Sequence, residues 1–139
     1  MSALDADQNE LRAHWAKYVC VLASGFLENA IKEIYSEYAK SSSSPATFGF
    51  VRSSLNKIQN PKKEKFIEIS RAFNTDWGSE LEDFLDESGR GDAINSIISN
   101  RHLIAHGRDS QITLPRIKEY ITKSASVIEF IENQCGVHS

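Results

Sequence analysis

The chain has 139 residues, 40% of them hydrophobic and 25% charged, and this length can bury a core without disulfides or a structural metal. Its formal net charge of -3 excludes a protein that coats nucleic acid through bulk positive charge. A few positioned cations can still bind phosphate. The longest nearly apolar run, residues 18–27, is about half of what spans a bilayer. We therefore expect a single domain over residues 1–139, with no membrane partner.

The N-terminal segment and the cysteines indicate the compartment. The segment "MSALDADQNE" is acidic and lacks the apolar centre of a signal peptide. Cys20 and Cys135 have no metal-site spacing and no secretory context. These features predict a cytoplasmic protein with reduced thiols.

The first predicted element is a long helix that ends near Ala39. Asp7 and Glu10 have the spacing of a capping box, which marks a helix N-terminus. Trp15 and Tyr18 belong to the apolar series and are expected to pack in the core. That series has helical spacing: Leu11, Trp15, Tyr18, Leu22, Phe26, Ile31, Ile34 and Tyr38. The next segment, "KSSSSPATFG", is predicted to be a flexible connector.

Three shorter helices are predicted next. The first ends at Asn60–Pro61, because a residue before proline disfavours helix. The third begins near Asp76, ends at "SGRG", and has Trp77 in the core. Their apolar positions are Val51, Leu55 and Ile58, then Phe66, Ile69 and Phe73, then Trp77, Leu81, Phe84 and Leu85.

Two helices complete the predicted chain. Asp92 is expected to cap a helix over residues 93–106, and Gly107 to take the left-handed conformation that ends it. Thr113 and Pro115 predict the start of the last helix. No alternating stretch indicates a strand, so the chain is predicted to be all-α, an up-and-down helical bundle.

The helix over residues 93–106 has a cation in its apolar stripe. At about 100° per residue, Arg101 falls in the middle of an arc formed by Ile94, Ile97, Ile98 and Ala105. Leu103 points nearly the opposite way, so the helix should be covered on more than one side. Because an unpaired buried charge is costly, Arg101 should form an ion pair with Glu28 or Glu33, extend to solvent, or bind an anion.

The segment "NRHLIAHG" resembles the R-x4-H signature of the HEPN superfamily. Together with "INSIISNRHLIAHG" and "ITLPRIKEYITKSASVIEFIE", it makes the chain most similar to the RiboL-PSP-HEPN branch. The resemblance implies a HEPN-type bundle with one or two extra short helices. It also implies a metal-independent endoribonuclease without cofactor, often a toxin or antiviral defence effector. An antitoxin or regulatory protein is compatible with it as a partner. An inactive HEPN module that binds a protein or nucleotide is the alternative.

Arg101 and His106 match the two motif residues, and His102 occupies the polar position between them. RNA can be cut by its own 2′-hydroxyl, which leaves a 2′,3′-cyclic phosphate, so the protein need not supply a nucleophile. A histidine can exchange the protons near neutral pH, and an arginine can stabilise the charge that grows on phosphorus. We expect Arg101 to stabilise the phosphorane, His106 to act as general acid or base, and His102 to orient the phosphate.

The spacing of the motif favours a homodimer. On a regular helix Arg101 and His106 diverge by about 140° and lie about 7.5 Å apart along the axis. One chain alone would therefore make a poor site, whereas a two-fold dimer would bring two arginines and two histidines into one cleft. The resemblance implies the same composite arrangement.

Other cations are secondary candidates. Arg108, Arg116 and Lys118 lie near the motif's loop and are candidate substrate-binding residues. The basic cluster in "NKIQNPKKEKF" could steer RNA, but a solvated helix start is the favoured interpretation. His102 and His106 have metal-ligand spacing, yet no third ligand is evident, so no metal site is predicted.

Overall fold

The computed structural model describes residues 3–136, with side chains from residue 7 onward. Within that range the chain forms six α-helices, a 3₁₀ turn at Glu87–Gly89 and no strand, which confirms the all-α prediction. The helices are α1 (Ala3–Ser42), α2 (Pro45–Asn56), α3 (Lys63–Phe73), α4 (Thr75–Asp86), α5 (Arg90–Ala105) and α6 (Leu114–Cys135). No helix in the described range has the length and apolar character needed to cross a membrane.

The bundle is organised around α1, against which α2, α5 and α6 all pack. α5 and α6 also contact each other, α3 pairs with α4, and α4 packs on α5 and α6. Burial of one large apolar side chain contributes about 1.5–3 kcal/mol, so this core holds α5 firmly. The largest fully buried side chains include Leu27, Ile31 and Tyr35 of α1, Phe66 of α3, Leu81 and Leu85 of α4, Ile94 and Ile97 of α5, and Ile117 and Ile131 of α6.

One thiol connects α1 to α5. Cys20 is fully buried, and its Sγ donates a hydrogen bond to the carbonyl oxygen of Ile97 at 3.4 Å. Burial raises the pKa of the Cys20 thiol to about 11, so the thiol stays protonated near neutral pH. Cys135 is also a free thiol. α1 and α5 are therefore in direct contact at the level of Ile97.

Three predicted boundaries in the first half of the chain were wrong. Asp7 lies inside α1, which already begins at Ala3, and so caps nothing. The predicted connector is largely helical: Ser44 is the N-cap of α2, its hydroxyl accepts a hydrogen bond from the Thr47 amide, and proline follows at the first helical position. α2 ends at Asn56, so Ile58 follows the helix.

The boundary before α5 also differs from the prediction. Ser88 and Gly89 both have left-handed backbones, with φ of 56° and 69°, and the next helix starts at Arg90. Asp92 is therefore a first-turn carboxylate near the helix N-terminus rather than the cap. The Arg90 guanidinium covers the Phe84 ring at 3.8 Å and donates a hydrogen bond to the Phe84 carbonyl, which holds α5 against α4.

The N-terminal half of α1 carries an exposed apolar stripe, contrary to the expectation that it packs in the core. Trp15 and Tyr18 are each more than half exposed and contact each other edge to face, with ring centroids 5.6 Å apart. Trp77 does pack, against Tyr38 at 5.1 Å between ring centroids. We define the α1 stripe as Leu11, Trp15, Tyr18, Leu22 and Phe26, whose exposed fractions lie between 51% and 58%.

α3 and α4 approach each other closely at a glycine. Gly78 is buried in α4, and a Cβ built on it would lie 2.6 Å from the Arg71 Cβ and 2.9 Å from the Arg71 Cα. Gly49 in α2 has no such neighbour within 4 Å. Only the first glycine is required by packing.

We expect Gly78→Ala to lower the free energy of unfolding by about 1–3 kcal/mol, because the helices must separate to admit the methyl group. The matched variant Gly49→Ala should raise it by about 0.5–1 kcal/mol through helix propensity. Urea unfolding followed by circular dichroism measures both. Equal effects of the two substitutions would contradict the close packing of α3 on α4.

Candidate functional site

The C-terminal end of α5 is fixed by a Schellman motif. The Gly107 amide donates to the Ile104 carbonyl at 3.2 Å, and the Arg108 amide donates to the Leu103 carbonyl at 2.8 Å. Gly107 has a left-handed φ of 65°, as the sequence predicted. His106 is consequently the C-cap of α5, with φ of -96°, and its side chain is exposed.

The two histidines of the motif lie against each other. The ring centroids of His102 and His106 are 4.3 Å apart and the rings are tilted by 52°. Their backbones are also joined, because the His106 amide donates to the His102 carbonyl at 3.1 Å. Among the described residues, neither imidazole forms an ion pair with a carboxylate. Both rings are therefore open to an incoming group.

Arg101 is half-buried on α5, one turn beyond the fully buried Ile97. Of the alternatives for Arg101, the ion pair with Glu28 or Glu33 does not form: within residues 7–136, Arg101 has no salt bridge. The Glu28 carboxylate instead binds the Lys32 ammonium at 3.1 Å and accepts from the Asn60 amide at 3.0 Å. A half-buried guanidinium without a counter-ion is suited to bind an anion.

The segment that joins α5 to α6 is held against α5. The Ser110 hydroxyl donates to the Asn100 side-chain oxygen at 2.7 Å, and the Asn100 side-chain nitrogen donates to the Ser96 carbonyl at 2.8 Å. The Ile112 amide donates in turn to the Ser110 hydroxyl. Thr113 then caps α6, as predicted, by accepting from the Arg116 amide. These bonds place the start of α6 beside the end of α5.

The three secondary cations are all exposed. Arg108 directly follows the glycine that ends the motif helix. Arg116 lies 3.6 Å from a Glu119 carboxylate oxygen, in an exposed pair that contributes little to stability. Lys118 forms no salt bridge among the described residues. Of the predicted site residues, the structure brings His102 and His106 into contact and leaves these three cations on the surface.

A shallow groove of about 440 Å³ lies beside His102. It is bounded by the segment between α2 and α3 on one side and by α5 on the other. Its lining residues are Asn60, Lys62, Ile98, Ser99, His102 and Leu103. No local pattern predicted that Asn60 and Lys62 lie beside α5, because that contact depends on how the helices pack.

No cluster that could bind a metal occurs in the part of the chain that the structure describes. There, no three His, Cys, Asp or Glu side chains converge on a common point. What the arrangement does offer is a half-buried cation, two imidazoles in contact and a neighbouring groove.

The all-α bundle of the described residues is consistent with a HEPN-type domain. The family model for RiboL-PSP-HEPN matches residues 2–136, and the chain belongs to that family. No curated protein and no solved structure matches the chain. Membership supports, in general terms, a HEPN-type nuclease or a nucleotide-binding module.

Proposed function

We propose that the protein is a metal-independent endoribonuclease that acts as a homodimer. The observation that carries this proposal is the half-buried Arg101, which has no salt-bridge partner in the described chain and lies on the helix that ends with His102 and His106 in contact. A cation together with imidazoles is what RNA transesterification requires. Arg108, Arg116 and Lys118 are proposed to contact the RNA backbone outside the reacting phosphate.

The reaction needs two proton transfers and one stabilised charge. A base removes the proton from the 2′-hydroxyl, whose oxygen attacks the adjacent phosphorus. The P–O5′ bond breaks as the 5′-oxygen takes up a proton, which leaves a 2′,3′-cyclic phosphate and a 5′-hydroxyl. We assign one of the two proton transfers to His106 of one protomer, and water exchanges the other proton. Arg101 of the second protomer stabilises the charge on phosphorus, and His102 orients the phosphate.

A dimer is proposed because one chain separates the required groups. α5 is a regular helix up to Ala105, so Arg101 and His106 diverge by about 140° around its axis. A two-fold axis beside this helix would place the cation of one protomer opposite the imidazole of the other.

The α1 stripe supplies a suitable interface for this dimer. It extends for about 22 Å along the helix, and exposed apolar patches of this kind mark interaction sites. A groove of about 240 Å³ continues from Leu22 and Phe26 to Ile121 of α6 and Ile97 of α5. Ile97 precedes Arg101 by one helical turn, so the apolar face reaches the helix of the proposed site.

The cellular role is proposed on family resemblance alone. A ribonuclease of this kind would act as a toxin or antiviral defence effector, restrained by an antitoxin or regulatory protein. The second candidate function is an inactive module in which Arg101 binds a nucleotide without cleavage. Family membership is compatible with both classes.

Cleavage should require the 2′-hydroxyl of the RNA and the side chains of Arg101 and His106, but no metal. Purified protein should cut single-stranded RNA in excess EDTA and leave 2′,3′-cyclic phosphate ends. An oligonucleotide whose 2′-hydroxyls are replaced by hydrogen should remain uncut. Arg101→Ala and His106→Ala should each lower the rate by about 10²–10⁴. Arg52→Ala, an exposed arginine on α2, is the matched control and should leave the rate unchanged. Gel analysis of end-labelled RNA measures all of these rates.

Two outcomes would contradict this assignment. If Arg101→Ala and His106→Ala both cut as well as the parent, the reaction takes place elsewhere. If the parent binds nucleotides but never cuts RNA, the inactive module is the better description.

Dimer formation should depend on the α1 stripe. The parent should scatter light as a dimer at micromolar concentration, and Trp15→Glu should weaken association about a hundredfold or more by placing a charge in an apolar interface. Phe50→Glu is the matched control, because Phe50 is also exposed but lies on α2, away from the α1 stripe. Monomers for the parent, or equal effects of the two variants, would remove the α1 stripe as the interface.

A further inference from the structure

The groove beside His102 has the lining of a nucleotide site. Leu103 of α5 is partly exposed and provides apolar surface on which a base can lie, and the buried Ile98 forms the floor of the groove. Asn60 and Ser99 add hydrogen-bonding groups, and Lys62 adds a positive charge. Its volume of about 440 Å³ lies within the range of about 300–1,000 Å³ that is usual for small-ligand sites.

The segment that carries Lys62 is held in place on both sides. The Asn60 amide donates to the Glu28 carboxylate of α1, and Asn60 has a left-handed φ of 48°. Pro61 is fully buried. The Lys63 amide donates to the Asn95 side-chain oxygen of α5 at 2.8 Å. Lys62 therefore projects from a backbone that is fixed to both α1 and α5, so less conformational freedom is lost when it binds.

Lys62 is distinguished from the other lysines of its cluster. The Lys65 ammonium pairs with Glu68 at 3.2 Å. The Lys63 side chain packs over Gly91, where an added Cβ would lie 2.8 Å from the Lys63 Cδ. Lys57 is exposed at the C-cap of α2 and does not line the groove. Only Lys62 in this cluster shares a groove with a motif histidine.

We propose that Asn60 and Lys62 form, with Ile98, Ser99 and Leu103, a subsite for the nucleotide next to the scissile phosphate. This inference rests on the proposed RNA cleavage, because it places a neighbouring nucleotide beside His102. The Lys62 ammonium binds the phosphate of that nucleotide. The base lies on Leu103, and Asn60 and Ser99 form hydrogen bonds to its polar edge. The segment between α2 and α3 thus positions the substrate without taking part in the proton transfers.

The test measures RNA affinity separately from cleavage. In a His106→Ala background, a fluorescent single-stranded oligoribonucleotide is titrated with protein and its anisotropy is followed over a range of salt concentrations. Lys62→Ala should weaken binding about tenfold and lower the slope of log affinity against log salt by about 0.7, as expected for one lost phosphate contact. Asn60→Ala should weaken binding without changing that slope. Lys57→Ala should change neither quantity. Lys62→Arg should keep the affinity and the slope of the protein that has Lys62.

The outcomes separate this inference from the proposed function. If the parent cuts RNA but Lys62→Ala binds and cuts like Lys57→Ala, the subsite is overturned and the nuclease stands. If the parent never cuts RNA but Lys62→Ala selectively weakens its binding, the subsite stands in a binding module. Absence of oligoribonucleotide binding in the His106→Ala protein would overturn the subsite. The subsite would also be overturned if Lys62→Ala weakened the binding of a free mononucleotide but not that of the oligonucleotide.

Discussion

The proposed chemistry depends on one electrostatic constraint: Arg101 is half-buried on a core helix and has no carboxylate to neutralise it in the described chain. A cation in that position has lost part of its hydration, so an anion that reaches it is bound more strongly than at an open surface. Glu28, one of the two candidate counter-ions from the sequence, is already occupied by Lys32 and the Asn60 amide. The fold therefore leaves Arg101 available, and it does so on the helix that ends at the two contacting imidazoles.

The same helix explains why the site would need a second copy. α5 is a regular helix up to Ala105, so Arg101 and His106 stay about 140° apart around its axis however the helix packs. The α1 stripe provides apolar surface that a single chain leaves uncovered. One interface through that stripe would cover the surface and complete the site.

Local signals in the sequence predicted much of the fold. Thr113 with a following proline and Gly107 after the motif determine backbone conformation within a few residues, and both features were found as predicted. Asp7 and Asp92 were wrongly predicted to be helix caps. Each lies inside its helix, because helix boundaries also depend on packing and the residues before each aspartate are already helical. The serine-rich segment was wrongly predicted to be a flexible connector, because Ser44 before a proline is also a good helix start.

The sequence was less informative wherever burial had to be assigned. An apolar repeat at helical spacing is the same whether it faces a core or a partner, so Trp15 and Tyr18 were wrongly predicted to be internal. Contacts across long sequence separations left no local signal. Asn60 and Lys62 lie beside α5 in a segment where the Lys63 amide donates a hydrogen bond to the Asn95 side chain. The family resemblance located the arginine and the histidines, and the structure added that Arg101 has no salt-bridge partner in the described residues.

The central claim is that Arg101 and His106 from different protomers act together. Subunit mixing tests it most directly: Arg101→Ala and His106→Ala proteins, each inactive alone, are allowed to exchange subunits, and exchange is verified by native mass spectrometry. RNA cleavage should return in the mixture, because a heterodimer retains Arg101 on one subunit and His106 on the other. A verified heterodimer that stays as inactive as either variant alone would contradict the composite site.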